Sequence, residues 1–229
     1  MNRSVWRAKA ALALAAAAYL PGTQAAEVIT FDTPGLTNIY TSFTYISVGS
    51  FEVYTQNSPS IIGTAADLPE STAPAGNDTQ FMTILNTGTF SLRHSERETF
   101  DLLGFDFAYV PQPNSPPLQY DMALVILVGG VPMGGWLIDP TVTNQSFTRV
   151  NDATQLAPFA NTTALNFKIC SFNPQTLTVC EFNLGQAGQF ALDNIVLSSP
   201  IPEPSSALLW ATGLAALGGA ARRRAAHVA

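Results

Sequence analysis

Histidine occurs twice in this 229-residue chain, as His94 and His227, and cysteine twice, as Cys170 and Cys180, while carboxylates are plentiful. That inventory restricts the available chemistry. A serine–histidine–aspartate constellation in the middle of the chain has to use His94. This residue stands in Leu92-Arg93-His94-Ser95-Glu96-Arg97-Glu98, the most charged stretch there, which reads as an exposed turn with mutually paired side chains. Two histidines cannot assemble a histidine metal cluster. The nucleophile elbow Gly-x-Ser-x-Gly, the P-loop and His-Glu-x-x-His are all missing from the sequence. Glycoside hydrolysis needs only two carboxylates. Glu96 and Glu98 would stand about 7 Å apart on an extended backbone, a spacing that arises easily by accident. The expectation is a protein without catalysis. Tyr40, Tyr45, Tyr54, Tyr109, Tyr120 and Trp136 offer a different chemistry, stacking on sugar rings, although aromatic residues of β proteins also serve as core and cross-strand partners.

The elements that must position these residues read as strands almost throughout. Val28-Ile29-Thr30-Phe31 opens the series, followed by Thr41 to Ile46 and Gly49 to Thr55. Gln80 to Leu85 and Thr89 to Leu92 flank Asn86-Thr87-Gly88, a hairpin signal. In Phe100 to Val110 the run Phe105-Asp106-Phe107 predicts apolar side chains in and acids out. Tyr120 to Val128 and Val131 to Ile138 lie either side of Gly129-Gly130. Leu165 to Phe172, Leu177 to Leu184 and Phe190 to Leu197 complete the set. Residues 58–78 and the proline-rich 111–117 read as loops of the kind that carry binding residues. Helical periodicity is confined to the two ends. Short strands punctuated by Gly, Pro and Asn predict an all-β fold, a β-sandwich of jelly-roll type.

Charge is distributed unevenly. Between residues 27 and 199 there are four Lys or Arg (Arg93, Arg97, Arg149 and Lys168) against fifteen Asp or Glu, a net charge of −11. Such a surface repels phosphate backbones and argues against nucleic acid as a partner. An excess of carboxylates suits either plain solubility or a divalent cation such as calcium.

The ends read as addresses. Arg3, Arg7 and Lys9 precede an apolar run from Ala10 to Leu20, and Thr23-Gln24-Ala25 supplies small residues for cleavage: residues 1–26 have the layout of a secretory signal peptide. At the other end, Ile201-Pro202-Glu203-Pro204 precedes about seventeen apolar residues, near the lower limit for a spanning helix. Arg222-Arg223-Arg224 then follows, which would remain cytoplasmic. This predicts an N-terminal signal helix, a β domain over 27–199 and a C-terminal transmembrane helix within 200–229. It also predicts export, with the domain tethered to the inner membrane by its C-terminus. In an oxidising compartment Cys170 and Cys180 are expected to pair across a hairpin turning at Asn173-Pro174.

Pro202-Glu203-Pro204, the apolar run and Arg222-Arg223-Arg224 resemble, in that order, a PEP-CTERM sorting domain. The resemblance implies recognition by an exosortase and a destination at the cell surface or in an exopolysaccharide biofilm matrix, where the expected role is structural or adhesive, the alternatives being a calcium-stabilised carbohydrate-binding module and a polysaccharide-acting enzyme. Gln189, Phe190 and Asp193, in Gln189-Phe190-Ala191-Leu192-Asp193-Asn194, resemble the QFxxD-type group of these proteins, which implies no activity. The same run is similar to the last strand of jelly-roll carbohydrate-binding modules, in which an Asp beside an Asn faces a structural calcium and the first and last strands are neighbours. That likeness implies that Asp32, Asp193 and Asn194 meet at one end of the sandwich as calcium ligands. The residues themselves equally allow Asp193 to cap a turn or accept backbone N–H groups.

Overall fold

Strand periodicity of two organises the domain into two facing sheets. The computed structural model describes residues 26–32, 38–68, 72–111, 121–138, 146–172 and 188–198. Within them run β1 (Ala26–Ile29), β2 (Asn38–Tyr40), β3 (Ile46–Val48), β4 (Phe51–Gln56), β5 (Ser60–Gly63), β6 (Phe81–Ile84) and β7 (Thr89–His94). Then follow β8 (Leu102–Tyr109), β9 (Asp121–Val128), β10 (Val131–Ile138), β11 (Thr148–Val150), β12 (Ala164–Phe172) and β13 (Phe190–Ser198). A single helical turn, Ala153–Leu156, capped by Asp152, adds a helix that the sequence pattern does not announce. The first sheet is ordered β11-β8-β13-β6-β5-β2, with β1 also on β13, and the second is ordered β10-β9-β12-β7-β4-β3. All pairings between named strands are antiparallel, so the all-β sandwich stands.

The core between the sheets is aromatic. Phe105 and Phe107 are buried while Asp106 keeps its carboxylate on the other face, as the alternation requires. Phe105 packs edge-on against Trp136 (5.0 Å between centroids) from the opposite sheet and against Phe167 (5.3 Å). Edge-to-face packing of this kind adds to what burial alone supplies. Gly129 and Gly130, both at positive φ (60° and 85°), close the β9–β10 hairpin in the backbone conformation that suits glycine.

Several expectations need correction. Thr41 to Ile46 is not a strand: β2 ends at Tyr40, Thr44 N–H donates to the Thr41 carbonyl, and β3 begins at Ile46. The expected loop 58–78 contains β5 and a short 3₁₀ turn, Ala65–Asp67. Asn86-Thr87-Gly88 turns the chain, with Asn86 and Thr87 at positive φ, yet β6 and β7 are not a hairpin. One lies in each sheet, so the turn is a corner of the sandwich. His94 is the buried end of β7, set edge-on against Phe51, with its Nδ1 accepting from the Glu96 N–H, and not part of an exposed turn.

Candidate functional site

Asp193 lies where β13 changes partners. Phe190 to Leu192 pair with Ile84 to Met82 of β6, and from Ile195 onward the same edge pairs with β1. On its other edge, the pairing of β13 with β8 skips one residue between Asp193 and Val196, a bulge. The first and last strands are therefore neighbours, as expected. Asp193 and Asp32 do converge, at this seam within the first sheet and not at an end of the sandwich. The segments flanking the gap fill it. Asn77 Nδ2 donates to Asp193 Oδ2 (2.7 Å), Thr79 Oγ1 lies 3.3 Å from the same oxygen, and the Gln80 N–H donates to Asp32 Oδ1 (2.9 Å).

Asp193 is 0% exposed, and its Oδ1 has no hydrogen-bond partner among the described residues. Burial pushes its carboxyl above the usual range and the negative charge of Asp32 pushes the same way. The bonds from Asn77, the Asn194 backbone and Thr79 pull it down without cancelling the rise.

Asn194 serves a different partner. It holds φ at 48°, donates its amide to Asp106 Oδ2 (2.8 Å) and accepts at its carbonyl from Arg149, whose guanidinium pairs with Asp106 (3.0 Å). Asn tolerates this left-handed backbone better than other L residues do. Asn194→Val should therefore cost about 1–2 kcal/mol from the backbone alone, with Asn194→Gly recovering that part, in urea denaturation. The Gln189-Phe190-x-x-Asp193 motif also gains a structural reading: the Gln189 carbonyl accepts from the Val110 N–H, Phe190 is core, and Asp193 fills the seam.

A second constellation occupies the outer face of the second sheet, where Tyr45 is exposed, Tyr54, Gln56, Arg93 and Asn166 are half-buried, and Ser91, Val125 and Leu127 are buried. Register places Tyr54 of β4 opposite Ser91 of β7, Ser91 opposite Asn166 of β12, and Asn166 opposite Leu127 of β9. One row thus crosses four strands. Gln56 Nε2 donates to Ser91 Oγ (2.8 Å) and reaches Tyr54 Oη (3.2 Å), and Ser91 Oγ donates to Asn166 Oδ1 (2.7 Å). Tyr45, 50% exposed and delivered by the turn before β3, packs on Tyr54 with ring centroids 4.5 Å apart. Arg93 lies over both rings, 4.9 and 5.8 Å from their centroids, and is held by Glu52 (2.6 Å) directly across the ladder. That ion pair holds the guanidinium above its ordinary pKa, the hydrogen bond to Glu52 being the main cause. Two further strand positions along β12, Lys168 stands opposite Val125; partial burial lowers its ammonium pKa.

Of the six aromatic residues singled out in the sequence, Tyr45 and Tyr54 reach this face. Tyr109 is buried, its phenol pushed up to about 12 by desolvation. Trp136 packs on Phe105 and donates its indole N–H to Gln155 Oε1 (2.8 Å). Tyr40 packs against the core, and Tyr120 lies outside the described residues. The polar partners Gln56, Ser91 and Asn166 carry no motif; alternation along each strand is the signal that puts them on one face. Cys170 is buried on β12, whereas Cys180 lies outside the described residues. So do Pro202, Glu203, Pro204 and Arg222 to Arg224, together with both expected terminal helices. Among the described residues, no helix is long and apolar enough to cross a membrane.

No family model matches the chain, and no curated protein matches it. Solved structures similar to it include a cyclase from Fischerella sp. TAU, at 14% identity and a TM-score of 0.38, covering 76% of this chain and 97% of that one. Another is the CBM22-1 xylan-binding domain of Paenibacillus barcinonensis Xyn10C, at 11% identity and a TM-score of 0.35, with 77% and 97% covered. A third is the family 11 carbohydrate-binding module of Clostridium thermocellum, at 14% identity and a TM-score of 0.28, with 79% and 99% covered.

Proposed function

We propose that this protein is an exported, non-catalytic glycan-binding module that contacts exopolysaccharide at the tyrosine pair on the outer face of its second sheet. The observation that carries the reading is the row Tyr45–Tyr54–Ser91–Asn166 with Gln56 beside it. Stacked phenol rings supply an apolar platform for the carbon faces of sugars. The half-buried amides of Gln56 and Asn166 next to it can exchange hydrogen bonds with sugar hydroxyls, while the buried Ser91 hydroxyl links the two. Around it, the strand order supports a jelly-roll arrangement, the Cys170–Cys180 pair supplies a disulfide, and the PEP-CTERM-like end directs the protein to an exosortase and the cell surface or biofilm matrix. A purely structural or adhesive matrix role shares all of this except the defined binding face. Binding of the full chain, in a zwitterionic detergent, to the producer's own polysaccharide tests the reading; saturable binding supports it, and no binding overturns it. Accumulation of uncut protein in cells lacking the exosortase tests the sorting.

The seam at Asp193 fits a calcium ion in part. Its orphaned Oδ1 and the neighbouring Asp32 carboxylate would contribute two hard oxygen donors and two negative charges, with the remaining shell supplied by carbonyls and water. Among the described residues no group of three acidic, His or Cys side chains converges. Calcium would act as a structural brace. At a hundredfold excess over its dissociation constant it would add about 2.7 kcal/mol of stability. A calcium-saturated sample should therefore melt several degrees lower after chelation, and an unmoved melting temperature would eliminate the ion.

A further inference from the structure

We infer that the tip of the β9–β10 hairpin, Val131-Pro132-Met133, is a membrane-docking surface that sets its apolar side chains into the lipid interface. The inference rests on the reading of the C-terminal run as a membrane tether and names what the tethered domain does at the bilayer. Its first basis is composition. Between Asp121 and Asp139 the chain carries no charged residue, in a domain with four Lys or Arg against fifteen acids. Gly129 and Gly130 make the turn and are exposed, and the three residues after them are exposed as well, Val131 at 59% and Met133 at 45%. A hairpin tip that meets only water is served by polar turn residues such as Asn and Asp. Consecutive exposed apolar residues instead mark a contact surface.

The second basis is position. Leu127 of β9 stands opposite Asn166, close to the start of β12 at Ala164. Just before that start, Thr162 and Phe100 exchange backbone hydrogen bonds of 2.9 and 2.8 Å. The next residue, Asp101, accepts at its carbonyl from the Ser198 N–H (2.9 Å) and donates its own N–H to Ser198 Oγ (2.7 Å). These bonds cross from one sheet to the other and put Ser198 at the same end of the sandwich as the hairpin tip. Phe159, fully buried, packs on the β10 backbone at Gly134, where a Cβ would lie 2.9 Å from its ring, so the tip projects from a packed base. From Ser198 the chain has residues 199–204 before the apolar run at Ser205, a span of at most about 22 Å. Three side chains are too few to recruit a free domain, but a tether this short makes docking an intramolecular step at high effective concentration. Glu96 and Glu98, in the turn after β7 at this same end, disfavour anionic headgroups, so zwitterionic lipid suits the contact best.

The test uses full-length protein reconstituted into phosphatidylcholine vesicles, with an environment-sensitive nitrobenzoxadiazole label on Val131→Cys or on Leu137→Cys. Quenching by spin-labelled lipids reports the depth of each label. Leu137 lies further along β10, about 20 Å from Val131 at strand rise. An interfacial apolar face sinks about 5–10 Å, so quenching should be about threefold stronger at 131 than at 137. Adding Met133→Asp to Val131→Cys should abolish that difference, with melting temperatures confirming that the variants fold. Replacing part of the lipid by phosphatidylglycerol should weaken the quenching, and a strengthening would overturn the apolar contact. If neither label is quenched while the protein floats with the vesicles, the docking is wrong and the tether survives. Equal quenching at both positions overturns the hairpin assignment. So does a label at 131 that is shielded yet unquenched, which would mean that a second copy of this chain covers the tip. Protein that fails to float with the vesicles overturns tether and docking together.

Discussion

Truncating Tyr54 to alanine should weaken glycan binding by about thirty-fold or more, corresponding to about 2 kcal/mol, the level expected of a central aromatic contact. Tyr54 is the middle of the platform. Its ring packs on Tyr45, lies beneath the Arg93 guanidinium and carries the hydroxyl reached by Gln56. Truncation therefore removes a stacking surface and releases a cation and an amide from the positions in which they meet a ligand. Tyr54→Phe keeps the ring and loses one neutral hydrogen bond of about 0.5–1.5 kcal/mol, so its effect should stay within about tenfold. Leu137→Ala is the control: this side chain is 75% exposed on β10 of the same sheet, apart from the row, and its loss should leave affinity unchanged. Titration of the three variants against one polymer decides the matter. Undiminished binding by Tyr54→Ala would move the site elsewhere.

The second large effect concerns stability. Asp193→Ala should destabilise the domain by about 1–3 kcal/mol, because it leaves the half-buried Asn77 amide without its acceptor, while the Thr79 hydroxyl keeps its bond to Asn77 Oδ1. Asp193→Asn should behave oppositely in chelator. It keeps an acceptor for Asn77, removes a buried charge and ends the repulsion from Asp32, so it should be at least as stable as the wild type and lose any gain from calcium.

The pH dependence follows from linkage. Burial raises the folded-state pKa of Asp193, so between the unfolded carboxylate value, near 4, and that raised value the native state holds more protons than the unfolded chain. Stability attributable to this group is then highest at low pH and falls as pH rises through the folded value. In chelator, the difference in melting temperature between Asp193→Asn and wild type should be largest at neutral pH and shrink on acidification towards pH 4. A difference independent of pH would mean that Asp193 is not a destabilised carboxylate.

Local pattern made much of the architecture legible. Alternation in Phe105-Asp106-Phe107 announced which side chains enter the core, and Gly129-Gly130 announced a hairpin because two positive-φ residues in sequence suit little else. The short strands β2, β5 and β11 were not separable from their surroundings. Strands of three or four residues complete too few alternations to stand out, and their pairing partners stabilise them from a distance. Asn86-Thr87-Gly88 marks the limit of local reading: its turn chemistry was legible, but not whether the next strand would pair back or cross to the other sheet.

The amino-acid order by itself determined the all-strand character of the domain, its acidic balance, the face taken by each side chain along its strand, and the two ends that resemble sorting signals. Tertiary structure alone decided which faces coincide. Gln56 meets Ser91 across 35 residues and Ser91 meets Asn166 across 75, while Asn77 reaches Asp193 across 116. The reason is that a strand's period of two is a property of its own backbone. Strand order and register depend on burying the apolar faces of all strands at once, and no single segment encodes that outcome.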